Sequence, residues 1–305
     1  MKYALIDLGS NSIRLAVYDV SKADFKILFK KKYMAGLAGF VENGKLSREG
    51  ILSAVQAVMA YQHTLQKLGI DNLAVFATAS LRNISNTEEA VEQIRSYTGI
   101  AVDVLSGKTE AECGYYGAMA DIHATDGLFV DIGGASAELA LFRDGQLETA
   151  GSVPVGSLKL YRDCVKNILP GKGSRERIEK TIRKVFSEND LADIPAQMQL
   201  VGVGGTIRAA LRLCSYLYSL PEECRSFTKE QLDGLVAQLC RNDKNAVNLI
   251  LRHEPERIHT LVPGLLLLRY LMEHYGAQTV TVSCYGVREG YLIRKIQPTL
   301  PEAQV

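Results

Sequence analysis

The chain has 305 residues, of which 47% are hydrophobic and 23% are charged, and its formal net charge is +1. This composition is typical of a folded globular protein, and the near-neutral charge argues against a dedicated nucleic-acid-binding protein. A single hydrophobic core rarely grows beyond about 250 residues, so the length favours two domains.

The spacing of the cysteines and the length of the apolar segments indicate the cellular compartment of the protein. None of the six cysteines belongs to a C-x-x-C pair or to a spacing typical of a zinc site or a disulfide framework, so we expect free thiols. Asp7 interrupts the first apolar run too early for a signal peptide, and no later run reaches the length of a membrane span. We therefore expect a cytoplasmic protein without a membrane or nucleic-acid partner.

The first part of the chain predicts a β-meander followed by alternating strands and helices, which is typical of a mixed sheet covered by helices. Ser47 and Gly69 supply the start and stop signals of the first helix. The predicted strands are 3–7, 12–20, 25–34, 73–78 and 102–105, and the other predicted helices are 87–97 and 109–119.

A second β-meander opens the rest of the chain, with Asp144-Gly145 as a predicted hairpin turn. The glycine-rich segment 170–174 is predicted to be a loop, and the segment between 214 and 279 is predicted to be mostly helical. The predicted strands are 128–132, 136–142, 146–153, 199–203 and 279–283, and the predicted helices include 175–186, 206–214 and 287–296.

The two meanders contain an internal repeat. The segment DLGSNSIRLAVY, which begins at Asp7, aligns without a gap on DIGGASAELALF, which begins at Asp131, with five identities in twelve positions. The identical polar residues, an aspartate and a serine, lie at the turn, where the fold alone does not demand them. We interpret the repeat as a duplicated functional hairpin. The alternative is a pair of ordinary tight turns.

An aspartate at a strand end, followed by a turn of small residues, is suited to binding phosphate. Backbone N–H groups of such a turn form an anion-binding concavity, and glycine permits close approach. Asp7 and Asp131 could then hold the Mg²⁺ that offsets phosphate charge. Gly204-Gly205-Thr206 follows a predicted strand and starts a helix, so it is a third candidate for anion binding, or an ordinary strand-to-helix turn.

Glu110 is the candidate general base. The segment Ser106-Gly-Lys-Thr109 lacks the glycine that a P-loop needs at the position of Val102, so we exclude a P-loop. Glu110 instead lies in the first turn of a helix, where a carboxylate could deprotonate a water molecule, although the helix dipole alone favours glutamate there. Arginines that follow turn segments are candidates for bidentate phosphate binding. These are Arg14, Arg82, Arg257 and Arg288.

Taken together, these motifs resemble the exopolyphosphatase and guanosine pentaphosphate phosphatase family, which has the fold of the actin, sugar-kinase and heat-shock ATPase superfamily. The Gly-Ser-Asn-Ser turn combined with the terminal Gly-Val-Arg-Glu-Gly is the most specific part of the resemblance. The matching motifs extend over nearly the whole chain: DLGSNSIRL from Asp7, ATASLRN from Ala77, LSGKTEA from Leu105, DIGGASAEL from Asp131, PVG from Pro154, GVGGT from Gly202 and YGVREG from Tyr285.

The resemblance implies a role for individual residues. It makes Glu110 the catalytic residue, and it implies that Asp7, Asp131 and Glu138 surround Mg²⁺ or another divalent cation. The implied phosphate-binding residues are Ser10, Asn11, Ser12, Arg14, Arg82, Gly133, Gly134, Ser136, Gly204, Gly205, Thr206 and Arg257.

The resemblance also implies the architecture. We expect an α/β fold of two ribonuclease-H-like domains, each a mixed five-stranded sheet flanked by helices, with a cleft between them. The expected bounds are 1–123, with a C-terminal helix at 288–305 that packs back on this domain, and 124–287. This is the short two-domain form of the family, and a homodimer is expected from the resemblance only.

The implied function is release of terminal orthophosphate from inorganic polyphosphate, with guanosine pentaphosphate as a second substrate that the sequence does not rank against the first. Three positions depart from the family pattern: Ala135 replaces a glycine, Thr109 a glutamate and Glu112 an arginine. An arginine usual in the third strand is also missing from Tyr33-Met-Ala-Gly. The alternatives are a small-molecule kinase of the same superfamily and a non-catalytic sensor of polyphosphate or of guanosine penta- and tetraphosphate.

Overall fold

The computed structural model describes residues 1–300, and this part of the chain divides into two compact units. Unit 1 consists of residues 1–110 together with the C-terminal segment from Arg288, and unit 2 is Ala111–Val287. The predicted domain boundary after residue 123 lies further along the chain, beyond the helix that contains Glu110. The predicted domain bounds and the predicted cleft stay predictions.

Unit 1 contains the predicted mixed five-stranded sheet, in the order β3-β2-β1-β6-β7. The first three strands form the antiparallel meander, and β6 pairs parallel with both β1 and β7. The strands are β1 (Lys2–Leu8), β2 (Ile13–Val20), β3 (Phe25–Tyr33), β6 (Leu73–Ala77) and β7 (Val102–Val104), with a separate two-stranded hairpin of β4 (Val41–Glu42) and β5 (Lys45–Leu46).

Helices cover the sheet of unit 1. The Ser47 side chain accepts a hydrogen bond from the Gly50 N–H and so caps the first helix. Gly69 has the positive φ of +63° that ends it. The helices are α1 (Arg48–Lys67), α2 (Ala79–Arg82) and α3 (Thr87–Thr98), preceded by a 3₁₀ turn at Leu37–Phe40. Helix α4 (Gly107–Met119) begins in unit 1, but its residues from Ala111 belong to unit 2.

Unit 2 is built on a six-stranded mixed sheet in the order β10-β9-β8-β11-β13-β12. The predicted hairpin turn is confirmed, because Asp144 and Gly145 have φ of 49° and 69°. The prediction of five strands is one short, because it lacks β12, a three-residue strand that pairs antiparallel with β13. The strands are β8 (Gly127–Ile132), β9 (Ala137–Arg143), β10 (Gln146–Val153), β11 (Gln199–Val203), β12 (Ser226–Thr228) and β13 (Thr279–Val282).

The helices of unit 2 correct one prediction. The predicted loop at 170–174 is mostly helical, because helix α6 already begins at Lys172, with Gly171 as its N-cap. The glycines and prolines around this start were misread as a longer loop. The helices are α5 (Ser157–Cys164), α6 (Lys172–Ser187), α7 (Gly204–Tyr218), α8 (Lys229–Leu239), α9 (Lys244–His253) and α10 (Leu261–His274), with 3₁₀ turns at Asp190–Asp193 and Pro255–Arg257.

A single C-terminal helix was predicted at 288–305, but the last segment is not one regular helix. An α-helical turn, α11 (Val287–Tyr291), continues into a π-helical segment at Leu292–Ile296 and a 3₁₀ turn at Gln297–Thr299. Pro298 lacks an N–H group, which is incompatible with a longer α-helix at this point. Residues 301–305 lie outside the described residues.

Hydrophobic cores back both sheets. In unit 1, Leu15 and Val17 of β2 pack with Val55 and Val58 of α1, and all four side chains are buried. In unit 2, Leu139 of β9 belongs to a larger core that also includes residues of α6, α7 and α10. No helix within residues 1–300 has the length and apolarity to cross a membrane.

Candidate active site

The first hairpin places Asp7 at the end of β1, directly opposite Arg14 of β2. The turn is closed by a hydrogen bond of 3.2 Å from the Gly9 N–H to the Ser12 carbonyl oxygen. A Cβ at position 9 would lie 2.8 Å from that oxygen, so the turn requires glycine there. The Arg14 Nε donates to the Ser12 Oγ at 3.1 Å. The hairpin therefore fixes a carboxylate and a guanidinium beside one turn.

The second hairpin has the same construction. The Gly133 N–H donates to the Ser136 carbonyl oxygen at 2.9 Å, and a Cβ at position 133 would lie 3.0 Å from that oxygen. Asp131 is the penultimate residue of β8 and lies opposite Glu138 of β9. The structure thus confirms that the repeated segments fold alike. They differ in the residue that faces the aspartate, which is an arginine in unit 1 and a glutamate in unit 2.

The N-terminus of α5 packs on the second turn. The N–H and the Oγ of Ser157 both donate to the Gly133 carbonyl oxygen, at 3.0 and 3.1 Å, and the Leu158 N–H donates to the Gly134 carbonyl oxygen at 2.9 Å. A Cβ at Gly156 would lie 2.6 Å from the Gly134 backbone. These contacts orient the carbonyl groups of the turn toward α5. The motif Pro154-Val-Gly156 was noted in the sequence, but its supporting role was missed.

The third turn, Gly204-Gly205-Thr206, lies beside the second hairpin in unit 2. Asp131 and Val203 are neighbours on the parallel strands β8 and β11. Gly204 has a φ of +88°, and a Cβ there would overlap the Asp131 carboxylate. No side chain caps the N-terminus of α7, which begins at this turn. The unpaired N–H groups of a helix start and its dipole favour an anion.

Arg257 reaches the same turn. A Cβ at Gly205 would overlap the Arg257 guanidinium, whose Nη1 would be 2.6 Å away. A permanent cation therefore lies against the positive end of a helix. Such an arrangement suits a phosphate group, because the guanidinium and the helix N–H groups can bind the same anion. Unit 2 thus brings Asp131, Gly204, Gly205 and Arg257 together, as the sequence predicts.

Asp131 and Glu138 are the residues of unit 2 that could hold a divalent cation. Glu138 is only 1% exposed, and its Oε1 accepts a hydrogen bond of 2.8 Å from Ser152 Oγ. Mg²⁺ is commonly held by one or two carboxylates, with water and substrate phosphate as its other ligands, so this pair fits the ion. Among residues 1–300, no group of three or more His, Cys, Asp or Glu side chains is arranged to hold a metal.

The electrostatic environment of Asp7 is mixed. Burial raises the pKa of the Asp7 carboxyl above its ordinary value, the charges of Arg14 and Arg288 lower that pKa, and the charge of Glu289 raises it. Arg288 was a candidate from the sequence, whereas Glu289 was not. Glu289 is buried and accepts a hydrogen bond of 2.9 Å from the Tyr18 hydroxyl.

Glu110 is buried at the start of α4, and its Oε2 accepts a hydrogen bond of 2.5 Å from Arg82 Nη1. The same nitrogen donates to the Leu105 carbonyl oxygen at 3.1 Å. Ser80, in the helix that carries Arg82, donates from its Oγ to the Leu8 carbonyl oxygen at the end of β1. Glu110, the candidate base, is therefore ion-paired with Arg82. Ser80 connects α2, the helix that carries Arg82, to the first hairpin.

Two of the four departures from the family pattern lie in the first half of α4. The Thr109 Oγ1 is 2.8 Å from the Ser106 Oγ, and the Thr109 N–H donates to the same hydroxyl oxygen at 3.0 Å. Ser106 thus caps the helix that carries Glu110, and the Thr109 hydroxyl contacts the capping hydroxyl. Glu112 lies two residues further along α4, and Ala135 lies within the second hairpin turn.

Comparison with known proteins gives consistent results. The model of the Ppx/GppA phosphatase family matches residues 16–298. Exopolyphosphatase 1 of Mycobacterium leprae is 24% identical over 304 residues, which covers 97% of this chain and 90% of the relative. Guanosine-5'-triphosphate,3'-diphosphate pyrophosphatase of Aeromonas hydrophila is 26% identical over 311 residues, covering 95% of this chain and 58% of the relative.

Solved structures confirm the predicted fold class. An exopolyphosphatase from Cytophaga hutchinsonii superposes with a TM-score of 0.85 at 20% identity, covering 99% of this chain and 100% of the other. A Ppx/GppA family member from Aquifex aeolicus superposes with a TM-score of 0.79 at 21% identity, covering 99% of both chains. At these identities the likeness concerns the fold alone.

Proposed function

The chain belongs to the Ppx/GppA phosphatase family, and on this premise we propose that it releases the terminal orthophosphate of inorganic polyphosphate, with guanosine pentaphosphate as a second substrate. The observation that carries the proposal is the arrangement at the start of α7 in unit 2. There a guanidinium and an uncapped helix N-terminus meet beside a carboxylate. Relatives named exopolyphosphatase that align over 97% of the chain support the choice of polyphosphate.

In this proposal the phosphate oxygens bind to backbone N–H groups of the turns and to arginines. The residues assigned to this role are Ser10, Asn11, Ser12, Arg14, Arg82, Gly133, Gly134, Ser136, Gly204, Gly205, Thr206 and Arg257. These residues lie on the hairpins, on α2, at the start of α7 and on the 3₁₀ turn at Pro255–Arg257, so the fold positions them before substrate arrives and they stabilise the charge of the phosphoryl group without reorganisation.

Glu110 is assigned the role of general base. Its carboxylate accepts a proton from a water molecule while the water oxygen forms a bond to the terminal phosphorus. The bond from that phosphorus to the bridging oxygen breaks, and orthophosphate and a chain shorter by one phosphate leave. The hydrogen bond from Arg82 fixes the orientation of the Glu110 carboxylate.

Phosphatases of this family are in general metal-dependent. We assign a magnesium ion, or another divalent cation, to Asp131 and Glu138 of unit 2. When bound, the ion offsets negative charge on the phosphate chain. We further propose a cytoplasmic location and a homodimer, both on the basis of the resemblance, and size-exclusion chromatography tests the dimer.

The first experiment measures phosphate release from polyphosphate and from guanosine pentaphosphate, with Mg²⁺ and with EDTA. We expect release that EDTA removes and added Mg²⁺ restores. In Glu110→Gln, kcat should fall by about 10²–10⁴-fold, since general base catalysis contributes that much. Glu92→Gln is the matched control, because it removes the exposed ion pair of Glu92 with Arg95 on helix α3.

Other outcomes would replace the proposal. ATP-dependent phosphorylation of a small molecule in place of phosphate release would indicate a kinase. Tight binding of polyphosphate without turnover would indicate a sensor. Full activity of Glu110→Gln would show that another group deprotonates the water.

A further inference from the structure

Glu254 connects two arginines in unit 2. It follows helix α9 and is 6% exposed. Its Oε1 accepts a hydrogen bond of 2.5 Å from the Arg212 Nε, and its Oε2 lies 3.5 Å from the Arg257 Nε. One buried carboxylate therefore faces both guanidinium groups with a different oxygen toward each.

This contact determines which edge of the Arg257 guanidinium faces the anion site. The Nε edge is turned to Glu254, whereas the terminal nitrogens Nη1 and Nη2 lie against Gly205. Arg257 is thus held between a carboxylate and the first turn of α7. Its two terminal nitrogens are the atoms that form a bidentate contact with a phosphate group.

The position of Arg257 needs such a counter-charge. The N-terminus of α7 carries the positive end of a helix dipole and has no side-chain cap, so it repels a guanidinium. Glu254 lies on the other side of the guanidinium and offsets this repulsion. Arg212, which belongs to α7 and is about half exposed, gives the buried carboxylate a second partner and so reduces the cost of burying its charge.

We propose that Glu254 is a positioning residue of the phosphate site, which holds the Arg257 guanidinium at the start of α7 with its terminal nitrogens directed to the anion. The inference rests on the proposed function for the identity of the anion, a phosphate group of polyphosphate. Glu254 itself does not touch the substrate.

The test compares steady-state kinetics on polyphosphate for Glu254→Gln, Arg257→Gln and the double variant. We expect each single change to raise KM about tenfold and to change kcat less than threefold. The double variant should be no worse than Arg257→Gln alone, because Glu254 acts through Arg257. Glu254→Asp, which keeps the charge, should recover most of the lost affinity.

Glu179→Gln is the matched control. It removes a surface ion pair with Arg269, at 2.9 Å, also in unit 2, and it should leave KM unchanged. Additive effects of Glu254→Gln and Arg257→Gln would overturn the inference. So would an unchanged KM in Glu254→Gln, or an aspartate variant as weak as the glutamine variant.

A binding measurement separates this inference from the proposed function. Titration calorimetry with inorganic pyrophosphate should show about tenfold weaker binding to Glu254→Gln than to wild type. If Glu254→Gln binds pyrophosphate more weakly but the wild-type protein releases no phosphate, the positioning role stands and the hydrolase function is refuted. Release by wild type together with equal pyrophosphate affinity of both proteins would leave the hydrolase standing and refute the positioning role.

Discussion

At the scale of single residues, two glycines allow charged groups to approach the start of α7. Gly204 makes room for the Asp131 carboxylate, and Gly205 makes room for the Arg257 guanidinium. The neighbours that a side chain would meet differ at the two positions. At Gly204 the backbone itself has a positive φ, whereas at Gly205 only the end of a flexible arginine stands in the way.

Gly205→Ala should therefore weaken substrate binding without damage to the fold. The added methyl group displaces the Arg257 guanidinium, so we expect KM for polyphosphate to rise about tenfold, which corresponds to about 1.4 kcal/mol. Alanine at a compatible helical position lowers the entropy of the unfolded chain, so thermal stability should stay equal or increase slightly.

Gly171→Ala is the control for this substitution, because position 171 has open space around it and an ordinary φ of −66°. It should leave KM unchanged, whereas stability should fall slightly because alanine is a poorer N-cap than glycine. If Gly205→Ala kept the wild-type KM, the contact between Gly205 and Arg257 would have no part in substrate binding.

The residues that the sequence could indicate are those whose role is local. Asp7 and Asp131 were indicated because each is followed within a few positions by its own turn. The partner of Glu254 on α7 could not be indicated, since Arg212 is 42 positions away along the chain. Such pairs depend on how helices pack, and no short-range pattern encodes them.

At the scale of elements, the long periodic segments were predicted well, whereas the short strand β12 was not. Helix α1 has a start signal, a stop signal and a buried face over 20 residues. Strand β12 has three residues and gains its hydrogen bonds from β13, to which it pairs antiparallel. Its C-terminal residue, Thr228, also forms the capping box of α8. Short elements of this kind are defined by their neighbours.

Asp121, just after α4, ties that helix to the edge of the sheet in unit 2. Its carboxylate accepts hydrogen bonds from the Arg225 guanidinium, from Ser283 Oγ at 2.9 Å and from the Cys284 N–H at 2.7 Å. Burial raises the pKa of the Asp121 carboxyl, but the hydrogen bonds from Arg225, Cys284 and Ser283 outweigh burial, so the pKa lies below its ordinary value of 3.8.

Asp121→Asn should lower the free energy of unfolding of unit 2 by about 2 kcal/mol at pH 7, the range for hydrogen bonds to a charged group. A lowered pKa stabilises the fold above the ordinary value and ceases to do so as the pH falls through the folded-state value. The difference between variant and wild type should therefore shrink below pH 3.8.

Urea unfolding at a series of pH values measures this difference. Asp163→Asn is the control, since Asp163 forms only an exposed ion pair with Lys159 on α5, and it should have little effect. A constant loss of stability in Asp121→Asn at every pH would show that shape, not charge, makes the contribution.

At the scale of the whole molecule, the two units repeat one topology. In each, an antiparallel meander is followed by two parallel strands on the side of its first strand, in the orders β3-β2-β1-β6-β7 and β10-β9-β8-β11-β13. The sequence repeat in the two hairpins therefore reflects a sheet topology that is repeated in the two units. The hairpin motifs alone could indicate this duplication, whereas the placement of the C-terminal segment on the first domain was implied only by the resemblance, because that contact joins the two ends of the chain.

Tyr291 shows how the C-terminal segment completes unit 1. Its ring stacks on Phe76 of β6 with centroids 4.7 Å apart, and its hydroxyl donates to the Asp103 Oδ2 of β7 at 3.1 Å. The side chain is 6% exposed. Tyr291 thus completes unit 1 although it lies 188 positions along the chain from Asp103.

Tyr291→Ala should destabilise unit 1 by about 3–5 kcal/mol, the range for removal of a buried aromatic ring. Tyr291→Phe keeps the stacking on Phe76 and loses one hydrogen bond, so it should cost only about 1 kcal/mol.

Hydrogen exchange of β1 and β6 reports on unit 1, and that of β8 and β11 reports on unit 2. We expect faster exchange in the first pair alone, because Tyr291 contributes its contacts to unit 1. Equal acceleration in both pairs would mean that the two units unfold together and that the segment stabilises the molecule as one.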